Sequence, residues 1–114
     1  MNHDFKVYFN NRKQWIDVYI EDVSPETFNA KGGGRWGYFI ATWDNPTSGV
    51  FGEIHLVKSK LRLDTVAHEV FHAVVERAWA NGVVIVRRNE ETYAKLCDKL
   101  FRGIETKLKK LGLI

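Results

Sequence analysis

The chain contains a single cysteine, Cys97, among 114 residues. An internal disulfide framework is therefore excluded, and a lone thiol fits a reducing compartment. No apolar run approaches the roughly 20 residues that span a bilayer. The opening Met1-Asn2-His3-Asp4-Phe5-Lys6 lacks the charged start and apolar stretch of a signal peptide, so the expected setting is cytoplasmic. No internal repeat or low-complexity segment is present. The net charge of +3 is mild and divided, partly between Lys107, Lys109 and Lys110 and partly in Arg87-Arg88. A nucleic-acid-binding protein would carry a denser basic patch on a recognisable module. These basic residues read instead as a solvated helix face.

What is present is ordinary in bulk, with 45% hydrophobic and 27% charged residues, enough for one globular domain over 1–114. Four Trp, four Tyr and seven Phe give it more aromatic mass than its size requires. The first half reads as strands: Phe5–Phe9 and Trp15–Ile20, a third at Trp36–Trp43 and a fourth at Val50–Val57. Asn10-Asn11-Arg12-Lys13 reads as a hairpin turn. Pro25 and Lys31-Gly32-Gly33-Gly34-Arg35 mark a loop, and Asp44–Gly49 is dense in turn residues. The second half reads as two helices. Asp64 or Thr65 caps the first, and Val66, Val70, Phe71, Val74 and Ala78 are spaced for one buried face. Asn81-Gly82 ends it, with glycine free to take the left-handed cap. Val83–Val86 reads as a strand or an extended connection. Asn89 caps the second helix, whose Tyr93, Leu96, Cys97, Leu100, Ile104, Leu108 and Leu111 follow a 3.6-residue period.

The stretch His68-Glu69-Val70-Phe71-His72 carries the chemistry. On a helix, positions i and i+4 share a face one turn apart, so both imidazoles can reach one metal ion. Two neutral imidazoles on a rigid helix suit Zn²⁺. Glu69 falls between them, placed to address a metal-activated water as general base rather than the metal itself. A catalytic zinc takes three protein ligands, so a third donor is needed. Glu90 and Glu91 open the second helix, where they either return to the metal across the turn at Gly82 or simply complement the helix dipole.

Ala67-His68-Glu69-Val70-Phe71-His72-Ala73, followed by Glu91-Thr92-Tyr93-Ala94-Lys95-Leu96, resembles the zincin metallopeptidases. The likeness is to the Glu-zincins, and within them to small single-domain versions common among phage and prophage proteins. It covers roughly the C-terminal half, while the strand-rich half agrees only in kind. The resemblance implies a zincin-like α+β fold, a twisted and mostly antiparallel sheet packed with a metal helix and a long C-terminal helix. It implies Zn²⁺ held by His68, His72 and Glu91, the Glu-x-x-Ala-x-Leu element selecting Glu91 over Glu90. It further implies a peptide or protein substrate. The chain departs from thermolysin-type enzymes, which follow the ligand Glu with an Asp four residues on; Ala94 and Lys95 stand there instead.

Other residues divide between roles. Glu76, one turn beyond His72, is either a partner that orients His72 or an exposed helix carboxylate. In zincins the strand beside the metal helix lines the cleft and pairs with extended substrate, so His55 lies near the site or is a half-exposed strand histidine. Tyr93 polarises a substrate carbonyl or packs in the core. Gly32-Gly33-Gly34 lacks the following Lys-Ser/Thr of a phosphate loop and reads as a hairpin tip. Cys97 reads as inert core. Two functions remain: a zinc peptidase, or a non-catalytic interaction module on the same scaffold, stapled by zinc because a small domain gains stability from a metal. An intact Glu69 favours the first, since a purely structural site has no need of it.

Overall fold

The computed structural model describes residues 1–9, 13–29, 36–42 and 49–114. Alternation sets the strands. In β2 (Trp15–Glu21), Ile16, Val18 and Ile20 are fully buried and the residues between them only partly so, the period of two expected of a sheet packed more tightly on one face. β1 (His3–Tyr8) pairs antiparallel with β2, from His3 opposite Ile20 to Tyr8 opposite Trp15. A single helical turn, α1 (Pro25–Phe28), follows. Ser24 Oγ accepts the Thr27 N–H at 3.1 Å, and Phe28 is fully buried with its ring 5.3 Å from that of Tyr38. The sequence reads this segment as loop, because the Ser24 cap and the Pro25 start specify only one turn.

β3 (Gly37–Ala41) pairs antiparallel with β4 (Val50–Val57), and β4 runs parallel to β2. The spatial order is β1-β2-β4-β3. The sheet is therefore mixed: two of its three pairings are antiparallel, in line with the mostly antiparallel sheet expected, and the central pair is parallel. Parallel neighbours need a crossover of a dozen residues or more, and the segment holding α1 and β3 supplies it. The turns over 10–12 and 44–48, the triglycine segment and Trp43 lie outside the described residues.

Two helices cover one face of the sheet. α2 (Leu63–Ala80) lies against β3 and β4, and α3 (Glu90–Lys110) against α2 and β1. Val66, Val70, Ala73 and Val74 of α2 meet Leu96, Leu100, Ile104 and Leu108 of α3 in one core with Ile16, Val18, Ile54 and Leu56 of the sheet. α2 starts at Leu63, ahead of the expected cap, with Arg62 at the cap position and its guanidinium bonded twice to Asp64 at 3.0 Å. It ends as expected. Gly82 takes φ +71°, and the Val83 N–H returns to the Ala78 carbonyl at 2.8 Å, a glycine-dependent closure. Val83–Val86 is an extended connection without strand pairing. Asn89 stands at the α3 cap position, yet its amide closes the preceding loop instead, accepting from the Val86 N–H at 2.7 Å and donating to the Val84 carbonyl at 3.0 Å.

Polar ties across the layers fix the helices. Lys99 Nζ donates to the Phe9 carbonyl at 2.7 Å. The Arg77 guanidinium sits 4.3 Å over the Phe9 ring and donates to the Gln14 side chain. Among the described residues no helix is long and apolar enough to cross a membrane. Tyr93 and Cys97 pack against the core, as the period of α3 predicts, and burial, with Asp98 adding, pushes the Cys97 thiol up from its ordinary value. Two expectations fail at the surface: Phe71 is 59% exposed and Leu111 41%. Phe71 borders an open apolar hollow beside Tyr93 and Cys97 of α3, and Leu111 stands at the C-cap of α3, past its last helical residue. Ile104 is fully buried between α3 and the rest of the core. Ile104→Ala should cost about 2–5 kcal/mol, read as a lower urea midpoint with an unchanged slope.

Candidate functional site

Packing of α2 decides which residues face outward. Its buried arc, Val66, Val70, Ala73, Val74 and Ala78, lies against the sheet and α3. His68 and His72 then fall on the exposed side, and Glu69 at the boundary between them. The two imidazoles converge: Nε2 of His72 lies 3.1 Å from Nε2 of His68, with ring planes at 78°. Glu69 is only 4% exposed, the one buried charged side chain among the described residues. Carboxylates are seldom buried without a partner or a task.

His68, Glu69, His72 and Glu76 line one hollow of about 340 Å³, walled opposite by Gly37, Tyr38 and Phe39 of β3. β3 is one of the two edge strands, with β1 the other, so among the described residues its outer edge pairs with no other strand. The close approach of β3 to α2 requires glycine. A Cβ at Gly37 would lie 2.9 Å from both Leu56 Cδ2 and Thr65 Cγ2.

The expected third donor is not in this hollow. Glu91 is exposed in the first turn of α3. Glu90 lines a separate, apolar hollow beside Phe71, Tyr93 and Cys97. Among the described residues no group of three or more His, Cys, Asp or Glu is arranged to hold a metal ion. The structure thus joins His68, Glu69 and His72, adds Glu76, and leaves Glu91 apart.

No protein-family model, curated protein or solved structure matches the chain.

His55 does not line the hollow. Leu56 and Thr65 together crowd Gly37 on the α2 side of the sheet, so the adjacent His55 points to the other face. There its Nδ1 lies 2.8 Å from Glu21 Oε2 and its Nε2 2.8 Å from Glu53 Oε1. The strand that lines the cleft is β3, not β4. Sequence reasoning missed Gly37, Tyr38 and Phe39 as the cleft wall, because strand order is set by long-range pairing. The nearest local signal was an isolated glycine at the head of a strand, a mark of close backbone approach.

A second chemical feature of the hollow is the distance between its donors. Two nitrogens bound to one tetrahedral zinc at about 2.0–2.1 Å stand about 3.3 Å apart. The 3.1 Å between the two Nε2 atoms, which face each other as a hydrogen-bonded pair, is close to that separation. Gly37→Ala should push β3 off α2 and cost about 1–3 kcal/mol through overpacking. Denaturant unfolding measures the loss, and chemical-shift changes should centre on β3 and the first turn of α2.

Proposed function

We propose that the protein is a zinc-dependent peptide-bond hydrolase of zincin type, working in the cytoplasm. The observation that carries this reading is a buried carboxylate, Glu69, lining the same hollow as two imidazole nitrogens 3.1 Å apart. His68 and His72 would hold the metal. Glu91 is the third ligand in this reading, and engaging it requires the first turn of α3 to come toward His72. Glu76, already in the hollow, is the competing donor. When bound, zinc supplies Lewis acidity and lowers the pKa of water to about 7.

The protein's own groups do the rest. Glu69, held at the floor of the hollow, takes the proton from the attacking water and returns it to the leaving nitrogen. Its burial keeps the carboxylate in one orientation. The outer edge of β3, unpaired among the described residues, receives the substrate backbone as an added antiparallel or parallel strand, which sets an extended peptide alongside the donors. Peptide or protein is therefore the substrate class, recognised through main-chain hydrogen bonds.

The stapled-module alternative draws less support. Both imidazoles sit on one helical turn, so a metal on them alone ties no second element to the fold. A staple also has no use for Glu69 at the floor.

Zinc titration of apoprotein should give one site per chain, and His68→Ala or His72→Ala should abolish it. Glu91→Ala should weaken it severely, with Glu76→Ala and Glu90→Ala nearly silent; a reversed order between Glu91 and Glu76 reassigns the third ligand. Retention of full affinity in both histidine variants would remove the metal reading.

Catalysis is tested with Glu69→Gln on a broad peptide library. The variant should stay folded and bind zinc, while cleavage drops by about 10²–10⁴-fold. Zinc-loaded wild type that cleaves nothing would favour the stapled module. Undiminished cleavage by Glu69→Gln would move the chemistry elsewhere.

A further inference from the structure

The sheet face away from α2 and α3, which α1 meets at Tyr38 through Phe28, is built as a separate surface. Strand register sets Asp4, Tyr19, His55 and Tyr38 in one row across β1, β2, β4 and β3. The rings stack like leaves: Tyr19 on His55 at 4.8 Å and 18°, His55 on Tyr38 at 4.7 Å and 9°. Glu21 and Glu53 hold the two nitrogens of His55, both at 2.8 Å. The platform is fixed on both faces and both edges of its central ring.

The next row across the sheet is Lys6, Asp17, Glu53 and Ile40. Four carboxylates, Asp4, Asp17, Glu21 and Glu53, thus share this face with one lysine. That lysine already shows how the face takes a cation, since Lys6 Nζ sits 4.2 Å over the Trp15 ring. The local acidity runs against a chain whose net charge is +3. It is felt by its neighbours. Burial raises the Tyr19 hydroxyl from its ordinary value, and Asp17, Glu53 and Asp4 raise it further. Burial likewise raises Tyr38, with Glu21 and Glu53 adding.

At the β1 end of the stack the face opens into a hollow of about 370 Å³, lined by Asn2, His3, Asp4, Tyr19, Glu21 and His55. Because His55 covers one face of the Tyr19 ring, strand order turns the other toward Asp4 and this hollow. We infer that this face docks a basic peptide segment, with a lysine or arginine side chain seated in the hollow against Tyr19 and between Asp4 and Glu21. An aromatic wall attracts the cation and packs its aliphatic stem, while the carboxylates supply opposite charge. An anion is repelled here. A bare metal ion lacks converging donors, since among the described residues no group of three is arranged for one. The surface lies across the sheet from His68 and His72 and acts without metal.

The test is an amide-resolved NMR titration of the full chain with acetylated, amidated tetralysine, run with chelator present. Shifts should centre on Asp4, Tyr19, Glu21 and His55, and tetraglutamate should give none. Raising ionic strength until the screening length falls from about 30 Å to about 8 Å should weaken binding. Asp4→Asn, nearly the same shape, should weaken it roughly two- to fivefold, and Asp4→Lys should abolish it; the free spectra of both variants report whether they fold. Tyr19→Leu, which keeps an apolar wall without the ring, should weaken it by about three- to fivefold. The inference falls if millimolar tetralysine moves nothing, if tetraglutamate acts equally, or if both folded Asp4 variants bind as wild type does. It falls too if the same resonances move with protein concentration alone, which would make the lysine-rich α3 of a second copy the occupant.

Discussion

Burial of one arc of α2 against β3 and β4 is the contact from which the candidate site follows. Val66, Val70, Ala73 and Val74 occupy that arc, and the helical repeat then leaves no choice about His68 and His72, which must emerge on the opposite side. Glu69, about 100° around the helix from His68 and about 60° from His72, is carried to the seam with β3 and becomes buried. The close approach that makes this seam depends in turn on Gly37 having no side chain. Packing sets which way these side chains emerge, and the contact between the two imidazoles adds to it.

The second half of the fold and the core of the site were legible because their signals are local. A five-residue stretch fixes the relation of His68, Glu69 and His72 once the segment is a helix, and the 3.6-residue period and Gly82 delimit that helix. What escaped was non-local. Nothing within β2 or β4 announces that they pair in parallel, because each presents the same apolar alternation to any neighbour. For the same reason β4, next in sequence to α2, looked like the cleft wall, when β3 holds that place. Phe71 fits the apolar period but borders an open hollow beside α3. Glu91 stands differently: a motif singles it out, and how the first turn of α3 is aimed relative to His72 is a matter of long-range packing that no motif carries.

The sheet separates two chemistries by the simplest available device, the alternation of side chains along a strand. Gly37 and Leu56 face α2, while their neighbours Tyr38 and His55 face outward. Neither side can be altered in register without disturbing the other, since a one-residue slip exchanges the two faces. β3 contributes to both, walling the hollow beside α2 and closing the ring stack with Tyr38.

That edge strand also bears on how the protein behaves in a crowd. Gly37-Tyr38-Phe39-Ile40-Ala41 is apolar throughout, with Ile40 44% exposed, and it has no lysine, aspartate or proline to discourage a neighbouring strand. An open hydrogen-bonding edge does not distinguish a passing peptide from the same strand of another molecule. Strand-to-strand growth between molecules is thus the ordinary hazard of this geometry. The brevity of the strand, five residues, is the restraint the chain places on it.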